Sequence, residues 1–242
     1  MNKINSQIII HLMGVLLLFN GIFMFLSAFV SIITDDGVIL EISLAALTVT
    51  FFGSILMLVT KNHSKKIQKK DGYIIVALGW ILMSFSGTLP YLFTNSISDF
   101  TNAIFETTSG YTTTGSSILT DIEILPKSII FWRSTTHWIG GMGIIVLTIA
   151  ILPLLGVGGM QLFSAEAPGP NSDKLHPRIT DTAKRLWYIY VGFTLTETIL
   201  LKFAGMTFFD AINHSMSTIA TGGFSTKNLS LSYWNYNPLI QY

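Results

Sequence analysis

Long apolar runs separated by short polar segments make up most of the chain. The first run, residues 8–33, contains 26 residues and no charged side chain. That length exceeds the roughly 20 residues with which a helix crosses the hydrocarbon core of a bilayer. Comparable apolar runs follow at 38–59, 72–93, 126–155 and 186–206. The pattern therefore predicts an all-α membrane protein with five spanning helices, the first of which is not cleaved.

Composition agrees with this prediction and excludes several other classes. Half of the residues are hydrophobic and only 11% are charged, whereas soluble domains carry about 25% charged residues. The mean hydropathy is +0.57. The absence of cysteine excludes disulfide scaffolds, thiolate metal sites and cysteine nucleophiles. A net charge of +1 excludes a strongly basic nucleic-acid binder, so we expect membrane lipid and no nucleic acid as a partner.

The distribution of basic residues predicts the orientation of the chain. Residues 61–70 include five lysines between two apolar runs. With a cytoplasmic amino terminus, ten of the fourteen lysines and arginines lie on the inner side. Positive charge on cytoplasmic loops is the usual bias of membrane proteins. We therefore expect a multi-pass protein of the bacterial inner membrane with its amino terminus in the cytoplasm.

Residues 99–111 form a helix-like segment that is too short to cross the membrane. Thirteen helical residues extend about 20 Å, while the hydrocarbon core is about 30 Å thick. Hydroxyl side chains and a glycine follow at 112–117. A half-length helix leading into an irregular polar strand is typical of a re-entrant loop, which is tolerated only beside protein or a water-filled cavity.

The same pattern returns 108 residues later. Aligned without gaps, residues 99–117 and 207–225 share seven identities in nineteen positions, which indicates an internal duplication. Each repeat comprises a span, a re-entrant loop and a second span, so the repeats run parallel. The predicted divisions are a hairpin with a basic cytoplasmic loop (1–70), a first unit (71–160), a cytoplasmic connection (161–185) and an incomplete second unit (186–242).

Hydroxyls and glycine at these loops suit the binding of a dehydrated cation. Backbone carbonyls can replace the water of a cation without placing a full charge in the bilayer, and glycine permits the backbone to turn there at little cost. The candidate potassium-binding positions are Thr112, Thr113, Thr114, Gly115, Ala220, Thr221, Gly222 and Gly223.

Four further polar residues lie within or near the apolar segments. Glu106, in the first short helix, is a candidate for attracting cations. Arg133 and His137, one turn apart near the outer side, either anchor the helix at the interface or tune ion access. Glu197 has a gating or helix-anchoring role, or is a local hydrogen-bond partner, since ionisable groups in a membrane are costly and often functional.

The sequence shows no arrangement of residues that is typical of an enzyme active site. Histidine, serine and aspartate are not grouped as a catalytic nucleophile and base require, and the histidines lack metal-ligand spacing. The run from Gly140 to Gly143 lies within an apolar helix, where small residues permit close helix contact. We therefore expect no enzyme activity, no covalently bound cofactor and no metal other than potassium at the loop residues.

Several motifs in order resemble the potassium-translocating subunits of the bacterial Trk system (TrkH type), in the Trk/Ktr/HKT superfamily. They lie at residues 109–115, 131–134, 138–144, 152–161, 166–170, 174–179 and 221–226. The resemblance extends over nearly the whole chain from the third span onward.

The resemblance implies potassium uptake through a pore that four such units surround, with one filter glycine from each. Gly115 and Gly223 are the equivalent positions here. It also implies modest selectivity and a cytosolic nucleotide-binding ring protein as a partner, with 61–70 and 160–185 as candidate docking surfaces; we also expect a homodimer. Since only two units are present, the sequence is interpreted as the amino-terminal half of such a subunit.

Two alternatives remain open at this point. The chain could be a non-conducting membrane scaffold or assembly subunit, which ion flux dependent on the filter glycines would exclude. It could also be a proton-coupled secondary carrier that uses Glu197, although parallel repeats differ from the inverted repeats of many such carriers.

Overall fold

The computed structural model describes residues 4–62, 69–155, 175–237 and 240, and the regular elements within these residues are all helical. Among them, three helical segments are long and apolar enough to cross a membrane: Ser6–Thr34, Ile39–Val59 and Lys70–Phe93, the last with a break at Thr88. The predicted fold class, an all-α membrane protein, is confirmed. Within the basic run at 61–70, residues 63–68 lie outside the described residues.

Helices α1 (Ser6–Thr34) and α2 (Ile39–Val59) form the amino-terminal hairpin. The side chain of Asn5 accepts a hydrogen bond from the Ile8 amide and so caps the first turn of α1. At the other end the chain reverses through Asp35 and Gly37, which have φ values of 48° and 77°. The two helices pack along each other, as a short connection between helices requires.

The third apolar run divides into two helices, α3 (Lys69–Gly87) and α4 (Leu89–Phe93). Pro90 lies in the first turn of α4. Because proline has no N–H and its ring crowds the preceding turn, α3 cannot continue through it without a break. The Thr88 hydroxyl donates to the Phe85 carbonyl at this junction, at 2.6 Å.

Two short helices each follow a longer one. Helix α5 (Phe100–Tyr111) is capped by Asp99, and α6 (Lys127–Leu155) follows it. Helix α7 (Leu175–Phe203) leads to α8 (Phe208–Ile219), which is capped by Thr207. A 3₁₀ turn, Ser230–Trp234, comes after the second loop. At 12 residues each, α5 and α8 extend only about 18 Å, as the sequence predicted for half-length helices.

Helix α7 begins earlier than expected. The sequence assigned residues 161–185 to a polar connection, but the helix starts at Leu175, and residues 156–174 lie outside the described residues. Charged side chains can extend from a helix beyond the bilayer, so their presence does not end it. At 29 residues each, α6 and α7 are long enough to cross, at about 43 Å, and their identity as the fourth and fifth spans stays a prediction.

Helix α6 holds the described helices together. It contacts α1, α3, α5, α7 and α8. Its Trp132 side chain is fully buried beside Tyr91 of α4 in a core that the hairpin completes, and its indole N–H donates to the Gly87 carbonyl at 3.0 Å. Because both short helices pack on α6, the loops that follow them are brought to the same place.

Candidate functional site

The two loops leave their helices along the same backbone path. In the first loop (112–118), Thr113 and Gly115 have φ values of 54° and 76°; in the second loop (220–226), Thr221 and Gly223 have values of 57° and 93°. A positive φ at a threonine is uncommon because its branched side chain crowds the backbone. The same rare conformation at positions 108 apart indicates that the duplication extends to backbone geometry.

Backbone hydrogen bonds at the two helix ends repeat in the same register. The Thr114 amide donates to Ser109 O at 3.0 Å, and the Gly222 amide donates to Ser217 O at 2.8 Å. These bonds occupy carbonyls that the helix itself leaves unpaired. Each loop therefore begins from a closed helix end rather than from a frayed turn.

The two loops touch each other at the candidate glycines. A Cβ built on Gly115 would overlap the carbonyl oxygen of Gly222, whereas one built on Gly223 would meet nothing within 4 Å. Thr112, Thr114 and Thr221 are exposed in this chain, while Ala220 is buried. The structure thus brings the two loops that carry the eight candidate residues into contact. The side chain of Ala220 is covered by α6.

Helix α6 contacts both loops through glycine. A Cβ on Gly140 would overlap the Tyr111 carbonyl at the end of α5, and one on Gly141 would lie 2.9 Å from the Cα of Ala220. The close helix contact that the sequence predicted for these small residues is therefore confirmed. It allows a single helix to contact both loops.

Glu106 forms a buried ion pair with Arg133. The guanidinium Nε lies 2.6 Å from the Glu106 carboxylate, and the two side chains are 2% and 0% exposed. The carboxylate also accepts from the Ser117 hydroxyl at 3.0 Å and from the Ile118 amide at 3.1 Å. Glu106 thus fastens residues 117 and 118, which follow the first loop's glycine, to α5. A role in attracting cations stays a prediction.

Arg133 links the first loop to the second. Its Nη1 donates to the Ser225 carbonyl at 3.2 Å, and its guanidinium carbon lies 3.7 Å from the centre of the Phe224 ring. A desolvated guanidinium over an aromatic face is a favourable cation–π contact. The expectation of an interfacial anchor is wrong for this side chain, because Glu106 and the second loop bury its charge.

His137 supports the second loop from the other side of Phe224. The two rings stack with centroids 3.8 Å apart and an angle of 14°. Its Nδ1 lies 3.1 Å from the Ser217 hydroxyl, and its Nε2 is buried without a hydrogen-bond partner. The His137 side chain is fully buried, so it is also not an interfacial anchor.

His214 occupies in the second loop the place that Glu106 has in the first. Its Nε2 lies 3.4 Å from the Ser225 hydroxyl and 3.5 Å from that of Thr226. The Thr226 hydroxyl donates to Asp210 at 2.6 Å. In both cases, therefore, the same position of the short helix holds the residues that follow the loop's glycine. Glu106 does so with a carboxylate and His214 with an imidazole.

Glu197 lies on α7 and contacts the end of α8, just before the second loop. It is half-buried, and its carboxylate is hydrogen-bonded to Thr218 of α8. This contact agrees with the alternative in which Glu197 joins neighbouring helices as a local partner. A gating role stays a prediction.

Two residues that support the loops were not identified as such from the sequence: one lies in the second loop and the other in α1. Phe224 is almost fully buried between Arg133 and His137; an aromatic side chain directly after the Gly222–Gly223 pair was its only signal. Asn20 is fully buried in α1. A single amide in the middle of a long apolar run could have identified it, because a polar group at membrane depth needs a partner.

Comparison with known proteins places this arrangement in a family. The TrkH family, described as a cation transport protein, matches residues 40–242. The chain is 46% identical over 240 residues to the Trk system potassium uptake protein TrkH of Salmonella typhimurium, covering 96% of this chain and 48% of that relative. The protein of the same name from Vibrio parahaemolyticus is 43% identical over 229 residues, covering 94% and 47%.

A solved structure agrees in fold. The crystal structure of the potassium transporter TrkH from Vibrio parahaemolyticus superposes with a TM-score of 0.83 at 39% identity, covering 95% of this chain and 46% of that one. Fold and sequence together define a helical membrane protein of the cation-transport class. The chain belongs to the TrkH family, as its motifs predicted, and it spans about half the length of the curated relatives it matches.

Proposed function

We propose that this chain supplies two of the loops that line a path for potassium across the bacterial inner membrane. Potassium passes the backbone carbonyls at Gly115 and Gly223, with the hydroxyls of Thr113 and Thr221 close by. The observation that carries the proposal is the pair of touching loops with the same positive φ values 108 residues apart. Its further support is the potassium uptake for which the relatives are named.

The chemistry of the loops suits a weakly selective cation path. A cation that leaves water needs several oxygen ligands at once, and carbonyl dipoles supply them without a fixed charge. The full Thr-Val-Gly-Tyr-Gly filter of potassium channels is absent from both loops. We therefore expect a preference for potassium that is modest by the standard of those channels.

The buried charges hold the loops rather than meet the ion. Arg133 is neutralised by Glu106 and contacts the second loop, so its positive charge does not oppose a cation in the path. The two loops touch each other and their short helices both pack on α6, so we expect them to move little. Rigidity matters here because a carbonyl ligand that can move away binds a dehydrated cation weakly.

The remaining parts of the proposal come from the resemblance and, for the orientation of the chain, from the distribution of basic residues. A cytosolic nucleotide-binding ring protein docks on the inner surfaces at 61–70 and 160–185, which lie largely outside the described residues. The amino terminus faces the cytoplasm, and the assembled transporter contains two copies of the subunit.

Rubidium uptake in a bacterial strain without its own potassium uptake tests the proposal. The chain is expressed alone and joined to the carboxyl-terminal half of the Vibrio parahaemolyticus relative, each as wild type, Gly115→Ala and Gly223→Ala. Gly37→Ala is the matched control, since Gly37 also has a positive φ with open space around it but lies in the turn of the hairpin.

We expect uptake by the joined wild type and by Gly37→Ala, with at least a tenfold loss, or altered discrimination against sodium, in both loop variants. Uptake that is insensitive to both glycines would overturn the proposed path. Absence of uptake despite membrane insertion would favour the non-conducting scaffold. Loss in Glu197→Gln together with loss of pH dependence would instead favour a proton-coupled carrier.

A further inference from the structure

Asn20 lies near the middle of α1, within the first apolar run, and its side chain is fully buried. An amide at membrane depth has no water to bind, so its oxygen and its N–H groups require partners inside the protein. The partners that Asn20 has therefore indicate what the hairpin contributes to the rest of the molecule.

Those partners lie on two different helices. The Asn20 Oδ1 accepts a hydrogen bond from the Tyr111 hydroxyl at 2.5 Å, and its Nδ2 donates to the Ser86 hydroxyl of α3 at 2.8 Å. Ser86 in turn donates to the Met83 carbonyl at 3.2 Å. The amide is thus held by α3 and holds the last residue of α5.

Tyr111 is the residue from which the first loop begins. It is 1% exposed, it ends α5, and its carbonyl lies against Gly140 of α6. Thr112, the first candidate potassium-binding residue, is its neighbour in the chain. A rotation of Tyr111 would therefore be passed directly to the loop.

Packing and a hydrogen bond both hold the Tyr111 ring, since a Cβ built on Gly87 of α3 would lie 2.8 Å from it. The ring lines an apolar groove of about 430 Å³ that it shares with Leu16, Phe19, Met83 and Ile139. Apolar contacts are non-directional, whereas the hydrogen bond to Asn20 fixes the position of the Tyr111 hydroxyl.

The second loop lacks this contact. The residue equivalent to Tyr111, 108 positions later, is Ile219, which has no hydroxyl. The hairpin also meets the first unit at its two ends, through Asp36 to Ser128 at 2.6 Å and through the Asn5 amide to Asp71 at 3.1 Å. Of these three contacts, the one at Asn20 reaches the residue from which the loop starts.

We propose that Asn20 is a positioning residue for the first loop, through which the amino-terminal hairpin sets the ion preference of the path. The part concerning ion preference rests on the proposed function. The part concerning loop position does not, so the two can fail separately.

Thiol labelling tests the position of the loop without any need for transport. The chain has no cysteine, so Ser116→Cys, at an exposed position of the first loop, gives a single reporter for a charged thiol reagent in membranes. Asn20→Leu and Tyr111→Phe each break the hydrogen bond. Ser27→Ala is the control, because Ser27 is buried on the same face of α1 but donates to Phe23 of its own helix.

We expect Asn20→Leu and Tyr111→Phe each to change the labelling rate at least threefold, with Ser27→Ala within a factor of 1.5 of wild type. The double variant should match the single variants, because both remove the same contact. In the chain joined to the Vibrio parahaemolyticus half, the same two variants should shift the ratio of rubidium to sodium uptake at unchanged amounts of protein.

Unchanged labelling in both variants would overturn the positioning role. Changed labelling with an unchanged rubidium-to-sodium ratio, in a joined chain that transports, would overturn the role in ion preference. Changed labelling in a chain that inserts but never transports would contradict the proposed function while it supports the positioning of the loop by Asn20.

Discussion

The two loops share one backbone conformation but are held by different side chains. The first loop is fastened by the carboxylate of Glu106, which is paired with Arg133, and by the Tyr111 hydroxyl. The second is fastened by the imidazole of His214 and by the ring of Phe224. The turn at the helix end therefore sets the backbone, while the side chains that support each loop differ.

The loops also differ in what surrounds their glycines. Gly115 faces the carbonyl of Gly222, whereas Gly223 faces open space. The positive φ requires a glycine-like residue at both positions, but only the first position forbids a side chain on grounds of volume as well. The same residue type in the same turn is therefore under two different constraints.

The two loops should differ most in the loss of stability on substitution at Glu106 and at its equivalent, His214. Glu106→Gln leaves the Arg133 charge buried and unpaired, which costs about 3–5 kcal/mol. His214→Gln replaces contacts to hydroxyls and should cost about 1 kcal/mol. Denaturant unfolding of the detergent-solubilised chain, followed by the fluorescence of its five tryptophans, measures both. The double variant Glu106→Gln/Arg133→Met should recover part of the loss; equal losses for the two single variants would contradict the comparison.

Alanine substitutions at Gly115 and Gly223 should give the next largest difference in stability between the loops. Gly223→Ala bears only the strain of a left-handed backbone, about 1–2 kcal/mol, because a methyl group has space there. Gly115→Ala adds the overlap with the Gly222 carbonyl, so its loss of stability should exceed that of Gly223→Ala by about 1–3 kcal/mol. Denaturant unfolding measures both losses. A smaller loss for Gly115→Ala than for Gly223→Ala would show that the loops do not touch as described.

Phe224 provides a difference of intermediate size. Phe224→Leu removes the ring that lies between Arg133 and His137, and we expect a loss of about 1–2 kcal/mol. The equivalent residue of the first loop is Ser116, which is exposed. Ser116→Ala should stay within about 0.5 kcal/mol of wild type. A comparable effect at the two positions would mean that Phe224 does not support its loop.

The smallest effect concerns the start of α6, which both loops share. Partial burial raises the pKa of Asp36, but hydrogen bonds from Ser128 and Ser31 outweigh it, so the pKa lies below its ordinary value. Ionised Asp36 then contributes stability above about pH 4, and this contribution is lost as the pH falls through the lowered pKa.

Thermal unfolding between pH 7 and pH 3 checks this effect. Asp36→Asn should be less stable than wild type at pH 7, and the difference should shrink toward the acid end of the range. Asp35→Asn is the matched control, because Asp35 lies exposed in the same turn. A difference between Asp36→Asn and wild type that stays constant with pH would refute the role of the ionised carboxylate.

Local signals in the sequence predicted most of the secondary structure. Apolar runs of spanning length predicted α1, α2 and the third span, and the duplication predicted two short helices followed by matching loops. The start of α7 and the break at Thr88 were missed. The first error arose because charged residues were taken to end a helix, and the second because Pro90 was overlooked within an apolar run.

Side-chain roles at the site were harder to predict. Glu106, Arg133 and His137 were recognised as unusual, but the interfacial anchor considered for Arg133 and His137 was wrong, because their partners lie 27, 92 and 80 residues away along the chain. No local pattern records such a pairing. The contact between Asn20 and Tyr111, 91 residues apart, was missed for the same reason.

The sequence was sufficient for the class of protein, the two half-length helices, the equivalence of the two loops and the family. These properties depend on the length of apolar runs, on repeat spacing and on motifs, all of which can be read along the chain without knowing which segments pack together. The tertiary structure alone decided that Arg133 is shared between the loops, that Gly115 is enclosed while Gly223 is open, and that the hairpin reaches the first loop through Asn20. Each of these is a contact between segments far apart in the chain, and in a membrane such contacts depend on close packing and on satisfying buried polar groups, not on the hydrophobic pattern.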